Sequence, residues 1–275
     1  MSNKTNSLNV IFVTQDEPFF LPLFFNEFNR VHTDNEINVL GAVILAPLGE
    51  SSIFSLAKRM YSFYGLFNFF RVGFRFAVYK ALNLLAVHCF KGKFPGTFSV
   101  RHSLLKNGYQ IFSFSDVNAE EFINFVKENE IDLLVSVGGS QKFRSQILTA
   151  PKLACINVHN AKLPKNRGML PTFWAMFQYD EDSSTAMTVF KMDENLDSGE
   201  IILQENVQLN PHGESLEELI IKMKKKNAPL LMKAIQMFKN GTPPLHPNDD
   251  SKATYFSFPK SEDVKKFKSK GYKLL

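Results

Sequence analysis

Cysteine is scarce in this chain, and long apolar runs are missing. Only two cysteines occur, Cys89 and Cys155, both in apolar surroundings. This scarcity argues against a disulfide framework or a cysteine-based zinc site and suits a reducing compartment. No uncharged stretch reaches the roughly 18 residues that a transmembrane helix needs, and the first apolar run is followed at once by Asp16 and Glu17. We therefore expect a cytoplasmic protein without a signal peptide.

Clustered metal ligands and a glycine-rich phosphate loop are also missing. Apart from His159, the histidines are scattered along the chain, at His32, His88, His102, His212 and His246. This spacing predicts no metal site. After the first apolar run the chain reads Thr14-Gln15-Asp16-Glu17-Pro18, which has no glycine and two carboxylates. Such a loop would repel a phosphate group.

Positive charge is unevenly distributed. The net charge is +5, with Lys222 and residues 224–226 clustered late in the chain and seven lysines in residues 251–275. One interpretation is a solvated surface that keeps the protein soluble. The other is attraction of an acidic partner such as a nucleotide or tRNA. The composition leaves both interpretations open.

Apolar runs alternate with helical patterns along the first two thirds of the chain. Buried strands are predicted at residues 8–14, 37–45, 131–137 and 153–158, and helices at 19–28 and 118–128. Strands that are almost wholly apolar favour an α/β fold with a mostly parallel sheet covered on both faces. Further along, the pattern predicts a strand over 200–209 and a helix over 216–239 that tolerates Pro229.

An aromatic segment interrupts this pattern at about residues 60–94. Arg71 and Arg75 lie four residues apart, so both would lie on one face of a helix, with Lys80 near that face. One interpretation is an inserted helical hairpin whose arginines reach water along their aliphatic stems. The alternative is an interfacial helix that contacts a membrane surface or admits a bulky substrate. Its aromatic residues are Phe63, Tyr64, Phe67, Phe69, Phe70, Phe74, Phe76 and Tyr79.

Polar residues suited to carbonyl chemistry follow the strand at 153–158. Asn157 and His159 are two residues apart at the strand end, so their side chains point to the same side of the backbone. An amide can donate to a developing oxyanion, and an imidazole can carry a proton. Asp197 could orient the imidazole, but Asp193 and Glu194 lie in the same polar loop, and spacing alone does not choose among them.

Three sequence blocks in order resemble the tetrahydrofolate-dependent formyltransferase family. They are Asn157-Val158-His159, the run Leu163-Pro164-Lys165-Asn166-Arg167-Gly168, and Met192-Asp193 leading to Leu196-Asp197-Ser198-Gly199. The resemblance implies a Rossmann-like formyltransferase domain over 1–205, with an aromatic helical insertion at about 60–94. Residues 206–275 would form a C-terminal helix and a lysine-rich appendage. The family includes methionyl-tRNA formyltransferases and sugar N-formyltransferases.

The same resemblance implies a cofactor and a set of site residues. The formyl donor would be N10-formyltetrahydrofolate, and the catalytic set would be Asn157, His159 and Asp197. The folate would lie against two loops, largely through backbone contacts. In this chain those loops carry Gly139, Ser140, Gln141, Lys142 and Phe143, and also Met192 and Asp193.

The acceptor of the formyl group is expected to be an amine. The loop at residues 14–18 disfavours a glycinamide ribonucleotide, and Ala161-Lys162 stand where relatives often have a serine. Asp16 and Glu17 would suit an amine or sugar hydroxyls, so we expect a nucleotide-linked amino sugar. Methionyl-tRNA is the alternative acceptor. A folate-binding, catalytically inactive interaction protein is the alternative from another class.

Overall fold

The computed structural model describes residues 7–46 and 53–275, and within them strands and helices alternate along the chain. The strands are β1 (Leu8–Gln15), β2 (Ile37–Leu45), β3 (Gln110–Phe112), β4 (Leu133–Ser136), β5 (Ala154–His159), β6 (Arg167–Gly168), β7 (Ser184–Lys191), β8 (Ile201–Gln208) and β9 (Tyr255–Phe256). The helices are α1 (Leu21–Val31), α2 (Ile53–Tyr64), α3 (Leu66–Leu84), α4 (Val100–Lys106), α5 (Glu120–Glu128), α6 (Ser145–Leu148), α7 (Pro171–Phe177), α8 (Leu216–Lys239) and α9 (Ser261–Ser269).

The main sheet has seven strands among the described residues, in the order β3-β2-β1-β4-β5-β7-β8. The first five of these strands are parallel, whereas β7 pairs antiparallel with both β5 and β8. The prediction of a mostly parallel α/β sheet is therefore confirmed. Since parallel strands end at the same edge, the loops after β1, β4 and β5 meet there, which is where ligands bind in such sheets.

Alternation along β1 shows how the sheet is covered on both faces. Val10 and Phe12 belong to one buried cluster, and Ile11 and Val13 belong to another on the opposite face. A strand that is apolar at every position can fill both layers because successive side chains point to opposite faces. The Phe12 ring lies at the centre of the first layer, with centroids 4.9 to 6.3 Å from the rings of three α1 residues, Phe24, Phe25 and Phe28.

The C-terminal part of the chain contributes to this first layer. Helix α8 packs along α1, and its residues Met223 and Leu231 belong to the same buried cluster as Phe12. Phe267 of α9 is fully buried and stacks on Phe173 with centroids 4.7 Å apart. The predicted boundary after residue 205 stays a prediction, but the segment beyond it shares the core of the segment before it.

The aromatic segment folds into α2 and α3, followed by one π-helical turn at Leu85–Cys89. Phe63 anchors α2, because its ring is buried and packs on Phe173 and Phe258. Within residues 7–46 and 53–275, no helix combines the length and the apolar character needed to cross a membrane. Cys89 is exposed at the end of this segment, whereas burial raises the pKa of the Cys155 thiol.

Candidate active site

The candidate site lies where β5 ends, beside the ends of β4 and β7. Asn157 is opposite Ser136 of β4 and opposite Phe190 of β7, and His159 is opposite Thr188 of β7. Val158 points into the first core layer and is buried, so Asn157 and His159 point away from that layer. The structure thus confirms that the two side chains share one side of the strand.

Asn157 and His159 differ in how they are held. Both are partly exposed. Among the described residues, no group hydrogen-bonds the Asn157 carboxamide, although hydrogen bonding would usually occupy an amide in a folded protein. The His159 ring, by contrast, lies with Nε2 at 3.2 Å from the carbonyl oxygen of Asn166. A free amide beside an anchored imidazole is an arrangement that can bind a ligand oxygen.

Asp197 is the acidic residue that reaches the imidazole. Its Oδ2 lies 3.7 Å from His159 Nε2 and accepts a hydrogen bond of 2.9 Å from the backbone N–H of Gly168. Asp197 is buried and has a left-handed backbone with φ of 53°, a conformation that aspartate tolerates better than most residues. The structure brings Asp197 to His159, whereas Asp193 instead accepts hydrogen bonds from Asn195 and Ser198 within its own loop.

The contacts of His159 define where its proton lies. A carbonyl oxygen only accepts hydrogen bonds, so Nε2 carries a proton when it contacts Asn166. The Asp197 carboxylate at 3.7 Å faces the same nitrogen. The imidazole is therefore oriented through Nε2, and the carboxylate balances the positive charge when the ring takes up a second proton.

The loop between β7 and β8, which we name the Asp197 loop, is held by a segment near the C-terminus. The sequence pattern did not reveal this contact. The buried Asn248 side chain donates to the carbonyl oxygens of Asp197 and Gly199, each at 2.9 Å. Its own Oδ1 accepts from Arg167, which is buried and also bonds Asp250 at 2.7 Å. We name Arg167, Asn248 and Asp250 the clamp. Prolines and acidic residues around Asn248 indicate only a turn, so no local signal marks this role.

The two loops that were predicted to bind folate lie beside the site, and most of their side chains are hydrogen-bonded or buried within the protein. The first loop follows β4, whose last residue, Ser136, is opposite Asn157. In this loop Ser140 donates to the carbonyl oxygen of Ala46, Gln141 bonds the backbone at Val117 and Ser115, and Phe143 is buried. Gly139 and Lys142 are exposed, so Gly139 presents its backbone and Lys142 a long side chain at the surface.

The second loop is joined directly to β5. The backbone N–H of Met192 donates to the carbonyl oxygen of Cys155, two residues before Asn157. Gly199 closes this loop in close contact with the Lys191 carbonyl, where any side chain would collide. Asp193 lies at its exposed tip. Both loops therefore border Asn157 and His159, but a folate contact for their seven named residues stays a prediction.

The acidic pair after β1 does not act as expected. Both oxygens of Glu17 accept hydrogen bonds from backbone N–H groups where the chain enters α1, at Phe19, Phe20 and Leu21, at 2.7 to 2.9 Å. Burial raises the pKa of the Glu17 carboxyl, although these amides lower it. Asp16 accepts from the backbone of Arg101 at 3.2 Å. Glu17 caps its helix and is not free to bind an acceptor, so that argument for an amino sugar is wrong.

Ala161 and Lys162 also make contacts within the protein. Ala161 is fully buried, and its carbonyl oxygen accepts a hydrogen bond from Thr188. The Lys162 ammonium lies 2.9 Å from Ser184 and 3.2 Å from Asp182. The charge of Lys162 is thus paired with a carboxylate on the adjoining strand segment.

Comparisons with known proteins show which family this sequence matches. A family profile described as formyl transferase matches residues 90–235. Among curated relatives, the methionyl-tRNA formyltransferase of Agathobacter rectalis is 30% identical over 61% of this chain and 53% of its own length. That of Synechococcus sp. is 36% identical over 48% of this chain and 40% of its own length. The chain spans about half the length of the curated relatives it matches.

Solved structures show the same fold over most of the chain. A 4-N formyltransferase from Francisella tularensis covers 92% of this chain and 77% of its own, with a TM-score of 0.55 and 20% identity. An N-formyltransferase from Helicobacter canadensis covers 91% of this chain and 71% of its own, with a TM-score of 0.55 and 14% identity. The family profile includes Asn157, His159 and Asp197 and extends over more than half of the sequence. The chain belongs to the formyl transferase family.

Proposed function

We propose that this protein is a cytoplasmic N-formyltransferase that moves a formyl group from N10-formyltetrahydrofolate to an amine. The observation that carries the proposal is an Asn157 carboxamide without a hydrogen bond to any described residue, beside an imidazole that Asp197 orients, at the edge where the parallel strands end. Membership of the family supports the same reaction. The relatives are named as formyltransferases, but they match over only about half of their length.

The proposed reaction needs two bond changes and two proton movements. A bond forms between the acceptor nitrogen and the formyl carbon, and the bond from that carbon to the donor nitrogen breaks. One proton leaves the attacking amine, and one is delivered to the departing donor nitrogen. The formyl oxygen carries extra negative charge while both nitrogens are bound to carbon, so the site must stabilise that charge and carry a proton.

The three residues divide this work. Asn157 donates an N–H to the formyl oxygen, because its amide has no partner among the described residues. His159 opposes the negative charge and relays the proton from the amine to the leaving nitrogen. Asp197, held by the Gly168 amide, keeps the imidazole in place and balances its charge. Asp197 acts through His159 in this scheme.

The donor would lie along the two loops that border Asn157. The side chains of Ser140, Gln141 and Phe143 are already bonded or buried. The donor would therefore contact the exposed parts of the two loops, at Gly139, Lys142 and Asp193. The loop after β4 starts at the strand that pairs with β5, which brings a bound formyl group within reach of Asn157. In this proposal the two loops orient the donor beside Asn157.

For the acceptor, we propose a nucleotide-linked amino sugar. Both solved structures above are named as N-formyltransferases, and the one from Helicobacter canadensis is a complex with folinic acid and dTDP-3-aminofucose. Methionyl-tRNA is the second candidate, because the curated relatives with 30 to 36% identity are methionyl-tRNA formyltransferases.

An acceptor panel separates these two candidates. The protein is incubated with N10-formyltetrahydrofolate and either dTDP- or UDP-linked amino sugars or methionyl-tRNA, and formylated product is measured by mass spectrometry. We expect product with at least one sugar nucleotide and a kcat/KM for it that exceeds the tRNA value by roughly 100-fold or more. Product with methionyl-tRNA alone would overturn the sugar assignment and leave the reaction class intact.

The clamp provides a further prediction. Asn248→Ala removes both hydrogen bonds to the Asp197 loop and leaves the buried Arg167 short of a partner. We expect the free energy of unfolding to fall by about 1–3 kcal/mol. We expect kcat to fall roughly 10- to 100-fold with little change in donor KM, because a small shift of Asp197 misplaces His159. Urea unfolding and steady-state kinetics measure the two effects.

Asn240→Ala is the matched control for the clamp, since Asn240 is exposed at the end of α8. It should leave both quantities unchanged within error. A clamp variant with normal kcat would show that the Asp197 loop keeps its position without Asn248.

A further inference from the structure

Helix α3 has its apolar face turned outward. Phe67, Phe70 and Phe74 are 88%, 66% and 74% exposed, and Val78, Leu84 and Leu85 continue the same face along the axis. Spacings of three and four residues place the first four of these side chains on one stripe, which Leu84 and Leu85 extend at the end of the helix. A surface helix normally buries such a stripe, yet α3 has no buried residue. We name these six residues the α3 face.

Contacts on the opposite side hold the helix in this orientation. The Arg75 guanidinium lies 4.3 Å from the Phe19 ring centroid and 2.6 Å from Glu217 of α8. Tyr79 packs on the same Phe19 ring at 5.3 Å, and Ser99 donates to Asn83 at 2.7 Å. The inward side of α3 is thus fixed to the protein partly by polar contacts, and the phenylalanines remain outside.

Charge within the segment that carries the α3 face is of one sign. Residues 51–115 contain nine Lys and Arg and no Asp or Glu. Arg71 and Lys80 flank the apolar stripe, and both are exposed. At the end of the helix, Lys91 and Lys93 are exposed as well. An apolar stripe with cationic borders matches the interface of a bilayer, where aromatic rings enter the acyl boundary and cations meet anionic headgroups.

The same charge pattern argues against self-association through this face. Two copies meeting at the α3 face would bring Arg71 and Lys80 of one chain near those of the other. No carboxylate in residues 51–115 is present to compensate, and like charges across an interface are costly. An anionic partner has the complementary charge.

We propose that the α3 face docks the protein on a membrane surface that contains anionic lipids. The helix would lie in the headgroup layer with Phe67, Phe70 and Phe74 inserted and Arg71 and Lys80 at the phosphates. Phe19, which Arg75 covers, belongs to the loop after β1 at the same sheet edge as Asn157. Docking would therefore bring the mouth of the candidate site next to the membrane.

Vesicle flotation of the full chain tests the proposal. The two vesicle types are pure phosphatidylcholine and equal parts of phosphatidylcholine and phosphatidylglycerol. We expect the protein to float with the anionic vesicles, to float weakly with the neutral ones, and to lose roughly 10-fold in partitioning when salt is raised from 0.1 M to 0.5 M. Absence of flotation with anionic vesicles at low salt would overturn the proposal.

Two variants separate the apolar and ionic contributions. The triple variant Phe67→Ser, Phe70→Ser, Phe74→Ser should lose roughly 100-fold or more in partitioning, because three exposed aromatic side chains no longer insert. The double variant Arg71→Glu, Lys80→Glu keeps the aromatic side chains and should lose roughly 20-fold. Leu153→Ser, at a 45% exposed leucine outside the α3 face, is the control and should float like the parent.

Analytical ultracentrifugation of the parent and the triple variant completes the test. A parent that sediments as a monomer, with a variant that is folded by circular dichroism, supports the membrane assignment. A parent dimer that the triple substitution converts to a monomer would assign the α3 face to a second copy of the chain and overturn the proposal.

Discussion

Replacing His159 with alanine is expected to lower kcat for formyl transfer by roughly 10²- to 10⁴-fold, the range for loss of a general acid–base residue. The imidazole is placed by two contacts on Nε2, to the Asn166 carbonyl and the Asp197 carboxylate. The alanine variant keeps the Gly168–Asp197 hydrogen bond, which does not involve the imidazole. Binding of the donor should change little, so the loss should appear in kcat rather than in donor KM.

Three comparisons make this result specific. Asn157→Ala should lower kcat by roughly 10²- to 10³-fold through loss of one donor to the formyl oxygen. The double variant His159→Ala, Asp197→Ala should be little slower than His159→Ala alone, because Asp197 acts through the imidazole. His212→Ala removes an exposed imidazole that packs on Tyr272 and should retain parental kcat. Unchanged turnover in His159→Ala would refute the proposed role of the imidazole.

The substitution Phe12→Ala is expected to cost about 3–5 kcal/mol in the free energy of unfolding. The Phe12 side chain is 1% exposed at the middle of β1 and makes edge contacts with Phe24, Phe25 and Phe28 of α1. Removing the ring leaves a cavity between the central strand and the helix that covers it. Because β1 pairs with both β2 and β4, the surrounding sheet has little freedom to collapse into that space.

Urea denaturation measures this loss as a lower midpoint with an unchanged slope. Phe67→Ala is the matched control, since the same side chain is removed from a site that is 88% exposed. It should change the free energy of unfolding by no more than about 0.5 kcal/mol. A comparable loss in both variants would mean that α3 packs against the protein through Phe67, and would contradict the α3 face as well.

Much of the fold could be predicted because its strands are continuous apolar runs. The predicted strand at 37–45 and the predicted helix at 216–239 have the bounds of β2 and α8. In α8, burial of Met223 and Leu231 outweighs the hydrogen bond that Pro229 removes. The antiparallel strand β7 was not predicted, because its residues 184–191 read only as an apolar run before the acidic loop. Its direction depends on pairing with β5, which no local pattern encodes.

The candidate site was also predicted only in part. Asn157 and His159 could be predicted as a pair because two residues on one strand share a face, and the structure brings Asp197 to them. The role of Glu17 could not be predicted, since the sequence shows a carboxylate but not the helix amides that it caps. Asn248 was missed for a related reason. Its contacts with the Asp197 loop join residues 49 and 51 positions apart.

Transfer of a labelled formyl group tests the central claim most directly. The protein is mixed with N10-[14C]formyltetrahydrofolate and a panel of amino sugar nucleotides and methionyl-tRNA, and the label is located after separation of products. The site geometry predicts label on the acceptor amine, with one tetrahydrofolate formed per formylated product and transfer roughly 10²- to 10⁴-fold slower in His159→Ala. Release of the label as formate, or donor binding without transfer to any acceptor, would contradict a formyl transfer site at Asn157, His159 and Asp197.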